Sequence, residues 1–258
     1  MLLHGIEDDG GLCCQEVVPH LTERFTCHLL DNRGRDLSGD HPDLSIPRMV
    51  QDVVEYVASL GEPVGLVGAS LGGNLALLAA AQCDGMEAIV PFEPAIISLV
   101  REQEGAVMGE AIAGMAELAE EGDLVAAARA FAGWFANDDE IVAADRAGRF
   151  EAAGRYVPNL LDLLHQAMKD DGRKVDDAAM LGTVSVPVLA VKGSDTRPFF
   201  ADSARFVVDH APKANLQEIP GAGHAAALTH PEALAEAITE FFLTAQLSGE
   251  EKREGMWN

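Results

Sequence analysis

Short apolar runs alternate along this chain with longer segments in which apolar residues recur at helical spacing. The runs predict the end of a strand running into a turn at 1–6, and strands at 25–30, 64–67, 87–92, 186–191 and 215–219. The helical spacing predicts helices at 11–23, 46–60, 199–210 and 231–243, and another directly after Ser70. Because strands and helices alternate, the pattern predicts an α/β fold with right-handed crossovers and a mostly parallel sheet.

The pattern changes between residues 95 and 183. This stretch is rich in Ala and Glu, keeps helical periodicity and contains no strand signal. We interpret it as an insertion of four or five helices, with breaks at Gly122, 137–139 and 170–172. The predicted organisation is a core at 1–94 and 184–245, the insertion at 95–183 and a polar, frayed tail at 246–258.

A Gly-x-Ser-x-Gly sequence, Gly68 to Gly72, lies where a predicted strand passes into a predicted helix. A serine on such a turn adopts strained backbone angles, so Gly68 and Gly72 leave room on either side of Ser70. The amide of Leu71 lies in the first turn of the helix, where free N–H groups favour a developing negative charge. The motif predicts a nucleophile and half of an oxyanion hole.

Four polar side chains follow predicted strands: Ser70, Glu93, Asp195 and His224. Ligands of parallel α/β sheets bind at the carboxyl ends of the strands. We therefore expect these groups to converge on one edge of the sheet.

Together these motifs resemble the α/β-hydrolase family over residues 1 to about 244. The resemblance is carried by His4-Gly5, 31–35 with Ser38, 68–73, 193–195 and 221–224. It implies the chain order nucleophile, acid, histidine, a helical cap formed by the insertion, and a second oxyanion amide at Ile6. His4 is interpreted as a structural hydrogen-bonding residue. Related hydrolases begin with two more antiparallel strands, so we expect about six strands here, with 25–30 at an edge.

The mechanism that this resemblance implies needs no cofactor and no metal. Ser70 attacks a carbonyl, His224 accepts its proton, and a carboxylate orients the imidazole. Two carboxylates compete for that role. Asp195 lies in a Gly-x-x-Asp-like segment but one residue early, whereas Glu93 matches the position of the acid in haloalkane dehalogenase-like members. Glu93 is preferred, and Asp195 is kept as the alternative.

The substrate is less well defined by the sequence. Trp134, Phe135 and Tyr156 on the insertion predict an apolar substrate pocket. A small or medium neutral ester is the first hypothesis, with a thioester or lactone close behind. Carbon–carbon bond hydrolysis or another cofactor-free reaction is the alternative, and a non-catalytic hydrolase-like binding protein is the second class.

Composition narrows the choice of partners. The formal net charge of −24 argues against nucleic acid and anionic membranes as partners and favours a small-molecule substrate. No signal segment or long apolar run is evident, which predicts a cytoplasmic protein. Its four cysteines show no metal spacing and are expected to be free thiols. The apolar edge strand predicts either a homodimer that covers it or a true start upstream of Met1.

Overall fold

A six-stranded, wholly parallel sheet forms the centre of the computed structural model, which describes residues 1–83, 85–169 and 174–254, and side chains up to residue 245. The strand order is β2-β1-β3-β4-β5-β6. The strands are β1 (Leu2–Leu3), β2 (Leu29–Leu30), β3 (Val64–Ala69), β4 (Met86–Phe92), β5 (Val188–Gly193) and β6 (Ala214–Ile219). The predicted α/β class and the count of about six strands are confirmed.

Helices pack on both faces of the sheet and fill the long connection between β4 and β5. Those of the sheet layers are α1 (Gly10–Cys14), α2 (Val18–Leu21), α3 (Ile46–Leu60), α4 (Leu71–Ala80), α11 (Pro198–His210), α12 (Ala226–Thr229) and α13 (Pro231–Glu254). Those of the long connection are α5 (Glu102–Glu120), α6 (Leu124–Ala132), α7 (Asp138–Arg146), α8 (Arg149–Gly154), α9 (Val157–Ala167) and α10 (Ala178–Leu181).

Alternation along the strands builds a core on each face. Leu66, Ile89 and Ala190 point to the face covered by α3, α4 and α11. Val90 and Val191, the neighbours of two of these residues in the chain, point to the face covered by α1, α2 and α13. Because strand side chains alternate between faces, strands buried on both sides are apolar throughout.

The strand order reverses beside β1, which lies between β2 and β3. Strand β2 pairs with one edge of β1, and the chain then returns so that β3 pairs with the opposite edge of β1. In parallel α/β sheets a crevice opens at the carboxyl ends of the strands at such a reversal. The residues that follow β1 and β3 therefore face one another across this crevice.

A third apolar cluster lies outside the sheet, within the connection between β4 and β5. It brings Trp134 and Phe135 against Phe199 and Phe200 of α11. Within its described residues, 95–169 and 174–183, this connection contains helices and no strand. These described residues form six α-helices and one short 3-10 helix (Ile97–Leu99), where the sequence predicted four or five helices. The predicted break at 170–172 lies outside the described residues.

Three elements differ from the sequence prediction. The helix predicted at 11–23 is two short helices, α1 and α2, and Pro19 lies at the start of the second. The strand predicted at 25–30 pairs only through Leu29–Leu30, although it does lie at the edge of the sheet. The last helix, α13, continues past the predicted end at 243 to Glu254, because this segment is rich in good helix formers.

Two findings concern the whole of the described chain. Within residues 1–83, 85–169 and 174–254, no helix combines the length and the apolar character needed to cross a bilayer. All four cysteines of the sequence are free thiols, as predicted.

Candidate active site

Ser70 lies between β3 and α4 with strained backbone angles, φ 53° and ψ −114°. A side-chain-bearing residue at positive φ costs on the order of 1–3 kcal/mol, and the neighbouring structure must hold it there. Its amide donates to the carbonyl of Phe92 (2.9 Å), and its carbonyl accepts from the amide of Asn74 (3.2 Å). The serine is thus held at the carboxyl edge of the sheet by β4 and by the first turn of α4.

The two glycines flanking Ser70 are required by close backbone contacts. A Cβ at Gly68 would lie 2.1 Å from the carbonyl oxygen of Gly72. A Cβ at Gly72 would lie 2.3 Å from the carbonyl oxygen of Leu3, on β1. Neither position has room for a side chain, which is the reason the sequence analysis gave for the Gly-x-Ser-x-Gly pattern.

Glu93 follows β4 and is the carboxylate that contacts His224. Its Oε2 atom lies 2.7 Å from His224 Nδ1. The same carboxylate accepts from the amide of Gly193 (2.8 Å) and from the hydroxyl of Thr196 (2.8 Å). It has no exposed surface, so these donors replace the water that a buried carboxylate loses. Because a carboxylate only accepts, Nδ1 carries the proton and Nε2 is left free.

Asp195 does not contact His224. Its side chain is exposed, and its Oδ1 atom accepts from the neighbouring Ser194 hydroxyl (2.7 Å). Its backbone amide donates to the carbonyl of Ala222 (2.9 Å). Of the two carboxylates that the sequence left open, the structure therefore brings Glu93, and not Asp195, to the imidazole.

Aromatic rings enclose the imidazole of His224. The ring of Phe200 stacks on it with centroids 3.9 Å apart and planes at 16°. The ring of Phe135 meets it edge-on at 5.2 Å. These contacts leave the imidazole little rotational freedom about the axis that Glu93 defines.

The loop that carries His224 is also held by the N-terminus of α7. Asn137 and Glu140 form a capping box there: each side chain accepts from the other residue's amide at 3.0 Å. The second oxygen of Glu140 accepts from the amide of Ala225, at 2.6 Å. On the other side of His224, a Cβ at Gly223 would lie 2.5 Å from Glu140. One buried carboxylate, 3% exposed, thus fixes the backbone beside the histidine.

The two residues predicted to supply oxyanion amides, Leu71 and Ile6, both lie close to Ser70, one in the chain and the other in the same cavity. Leu71 is the first residue of α4, where an N–H has no acceptor within the helix. Ile6 follows β1 and lines the same cavity as Ser70. The carbonyl of Ile6 accepts from the buried Arg35 guanidinium (2.7 Å), which fixes the orientation of this loop.

His4 makes only structural hydrogen bonds. Its Nε2 atom accepts from the amide of Asn32 (2.9 Å), so Nδ1 carries the proton and donates to the carbonyl of Gly5 (2.6 Å). Burial lowers its pKa from 6.5 to about 4, and the imidazole is neutral near pH 7. It holds β1 and the turn after β2 together behind the Ile6 loop.

Ser70 and His224 line a common cavity of about 110 Å³. Its walls are mainly apolar and include Trp134 and Phe135, two of the three aromatic residues for which the sequence predicted a role in substrate binding. Tyr156 is not part of them: its hydroxyl donates to Asp9 (2.7 Å), and its ring packs under Arg35 and Arg155. Among the described residues, no three His, Cys, Asp or Glu side chains are grouped to hold a metal ion.

Three residues of the site were not singled out by the sequence analysis. Thr196 occupies the position where Gly-x-x-Asp would place the acid, and that spacing is the signal that could have identified it. Arg35 belongs to the Arg33–Arg35 turn, which was noted without a role. Glu140 has no motif of its own beyond the Asn-x-x-Glu capping pattern.

The comparisons with known proteins agree with this architecture. Residues 1–237 match the profile described as the Alpha/beta hydrolase family. By sequence, no functionally curated protein matches the chain significantly.

Solved structures similar to this one come from several bacteria. An α/β hydrolase from Sphaerobacter thermophilus is 25% identical with a TM-score of 0.71, and the match covers 93% of this chain and 91% of that chain. A thermophilic esterase from Thermogutta terrifontis is 18% identical with a TM-score of 0.73, over 95% and 89%. A bromoperoxidase from Bacillus anthracis is 20% identical with a TM-score of 0.75, over 93% and 90%. With its parallel sheet, its serine turn and a family match over most of its length, this chain belongs to the α/β-hydrolase family.

Proposed function

We propose that the protein is a serine hydrolase that cleaves a carboxylic ester, thioester or lactone of small to medium size through an acyl-enzyme on Ser70. The observation that carries this proposal is the buried Glu93–His224 hydrogen bond, whose histidine lines the same cavity as a strained serine. A buried carboxylate that fixes the tautomer of a histidine is the arrangement that activates a serine nucleophile.

In the proposed reaction the Ser70 hydroxyl attacks the substrate carbonyl and gives its proton to Nε2 of His224. Glu93 keeps Nδ1 protonated and stabilises the imidazolium that forms. The amides of Ile6 and Leu71 donate to the oxyanion, and each such donor contributes about 3 kcal/mol in the transition state. The imidazolium then protonates the leaving alkoxide or thiolate, and water repeats the cycle on the acyl-enzyme.

Similar solved structures support this chemistry by their names. One is called an esterase, and another a serine hydrolase involved in carbazole degradation. Carbon–carbon bond hydrolysis at the same serine is kept as the alternative reaction. Turnover of activated esters of graded acyl length, compared with turnover of a vinylogous 1,5-diketone, distinguishes the two.

Labelling by a fluorophosphonate probe tests the nucleophile. We expect covalent labelling of the wild type and none of Ser70→Ala. Ser59→Ala, which changes an exposed serine on α3, is the matched control and should label like the wild type. Labelling that persists in Ser70→Ala, or a wild type that does not react, rejects the serine-hydrolase proposal and favours a non-catalytic binding protein.

A further inference from the structure

Two carboxyl groups line the cavity beside Ser70 and take no part in the proposed reaction. Glu7 and Asp8 follow Ile6 directly in the loop after β1. Both line the cavity that contains Ser70 and His224. The loop that offers an oxyanion amide therefore also places two acids within reach of any bound substrate.

These two carboxyl groups lack partners, in contrast to the other acids of the site. Within the described residues, neither Glu7 nor Asp8 makes a side-chain hydrogen bond or an ion pair, and Oε2 of Glu7 is sealed from solvent without a partner. Glu93 accepts three hydrogen bonds, and Glu140 accepts two. A buried acceptor without a donor is destabilising, and a ligand that supplied a donor to this pair would offset that cost.

Two guanidinium groups lie nearby without contacting the acids, and one of them, Arg149, lines the same cavity. Each makes other hydrogen bonds, while its Nε atom is buried without a partner. Arg149 pairs with Glu16 and donates to the carbonyl of Leu12. Arg35 donates to two backbone carbonyls, those of Gly34 (3.0 Å) and Ile6 (2.7 Å). Their charges act on the acids only at longer range, without a direct contact.

The protonation of the pair follows from this environment. Burial raises the pKa of Asp8 to about 6, although Arg149 and Arg35 act to lower it. Burial, with the charge of Asp8 added, raises the pKa of Glu7 well above its ordinary value. Near pH 7 the cavity therefore holds an ionised Asp8 that has no counter-ion in contact with it.

We propose that Glu7 and Asp8 select substrates that carry a protonated amine, so that the ester cleaved at Ser70 is an amino ester with an alkyl spacer. This inference rests on the proposed function, and it replaces the neutral substrate predicted from the sequence. An ammonium group supplies both the missing donor and the missing positive charge. A hydroxyl would supply only the donor, and a carboxylate would be repelled. The apolar walls around Trp134 and Phe135 suit the spacer.

Two p-nitrophenyl esters of equal shape test the proposal. The 3-aminopropanoyl ester carries an ammonium where the butanoyl ester carries a methyl group. We expect kcat/KM to be at least about tenfold higher for the amino ester, which corresponds to about 1.4 kcal/mol. The preference should vanish in Asp8→Asn and persist in Asp139→Asn, which removes the same charge from the exposed surface of α7. If the wild type has an equal or lower kcat/KM for the amino ester than for the butanoyl ester, the proposal is overturned, and no variant needs to be measured.

A binding measurement that needs no turnover tests amine selection independently of the proposed ester hydrolysis. Calorimetric titration compares n-butylammonium with butan-1-ol on the intact protein. Tighter binding of the ammonium, lost in Asp8→Asn, supports amine selection even if no ester is hydrolysed. Equal or tighter binding of the alcohol overturns it even if esters are hydrolysed.

Discussion

The ends of β4 and β5 are neighbours in the sheet, and each is followed by a carboxylate, but the two carboxylates have opposite surroundings. Glu93 after β4 is fully buried and accepts from three groups, including the imidazole. Asp195 after β5 is exposed and accepts from the adjacent serine. Three donors fix the buried carboxylate of Glu93, whereas the carboxylate of Asp195 is free to exchange partners with water, so only Glu93 has a defined orientation.

The β5 end nevertheless supports the site, through its backbone and a hydroxyl. Gly193 and Thr196 both donate to Glu93. The amide of Asp195 donates to Ala222, two residues before the histidine. The comparison therefore shows a division of roles, in which one strand end supplies the negative charge and the other supplies the donors that hold it.

Replacing each carboxylate by its amide should give the largest difference in kcat between the two strand ends. We expect Glu93→Gln to lower kcat on an activated ester by about 10³- to 10⁴-fold, because the imidazole loses the partner that sets its tautomer. Asp195→Asn should stay within about threefold of wild type, as exposed substitutions change free energies little. Loss of turnover in Asp195→Asn, with Glu93→Gln near wild type, would reverse the assignment of the acid.

The next test moves the carboxylate from the end of β4 to the end of β5 and asks whether it can still serve as the acid. The Thr196 hydroxyl already lies 2.8 Å from the oxygen of Glu93 that contacts His224. In a Glu93→Gln background, Thr196→Asp should recover about tenfold in kcat, or about 1.4 kcal/mol of barrier. The matched control is Glu93→Gln with Thr196→Asn, which has the same shape without the charge. Equal rates for the two double variants would show that the β5 end cannot supply the acid.

Substitution of Glu140 tests the loop that carries His224, as the preceding variants test the acid. Glu140→Ala leaves the amide of Ala225 without its acceptor, a loss of about 1–3 kcal/mol. We expect kcat to fall about tenfold, because the change acts on the position of His224. KM is measured in the same experiment, since Glu140 also lines the cavity. Glu140→Gln, which keeps an acceptor oxygen, should restore most of kcat, and Asp139→Ala on the same helical turn should match the wild type. A lowered melting temperature with unchanged kcat would limit Glu140 to a structural role.

Thr196→Val should give the smallest effect of the series. It removes one of three hydrogen bonds to Glu93 and leaves the side-chain volume nearly the same. A net loss of about 1 kcal/mol, or roughly fivefold in kcat, is expected. Thr196→Ser keeps the hydroxyl and is the control. If Thr196→Val and Thr196→Ser have the same kcat, the hydroxyl does not help to orient the acid.

Local sequence determined the parts of the site that depend on a few neighbouring residues. The turn at Ser70 is readable because the clash that excludes a side chain at Gly68 involves Gly72, four residues away. The α/β architecture is readable because apolar periodicity reports which faces are buried. Helix α3 has the predicted bounds, since Ile46 to Leu60 combine an apolar stripe with Pro47 in the first turn.

Tertiary structure decided the parts that depend on residues distant in the chain. Glu93 and His224 are 131 positions apart, and Glu140 and Ala225 are 85 apart, so no local pattern could pair them. An aromatic stripe on a helix predicts burial but not the partner that it is buried against. Trp134 and Phe135 therefore line the cavity while Tyr156 binds Asp9. Sequence alone defined which side chains reach the edge of the sheet, and only packing decided which of them meet, because contact and desolvation are properties of the folded chain.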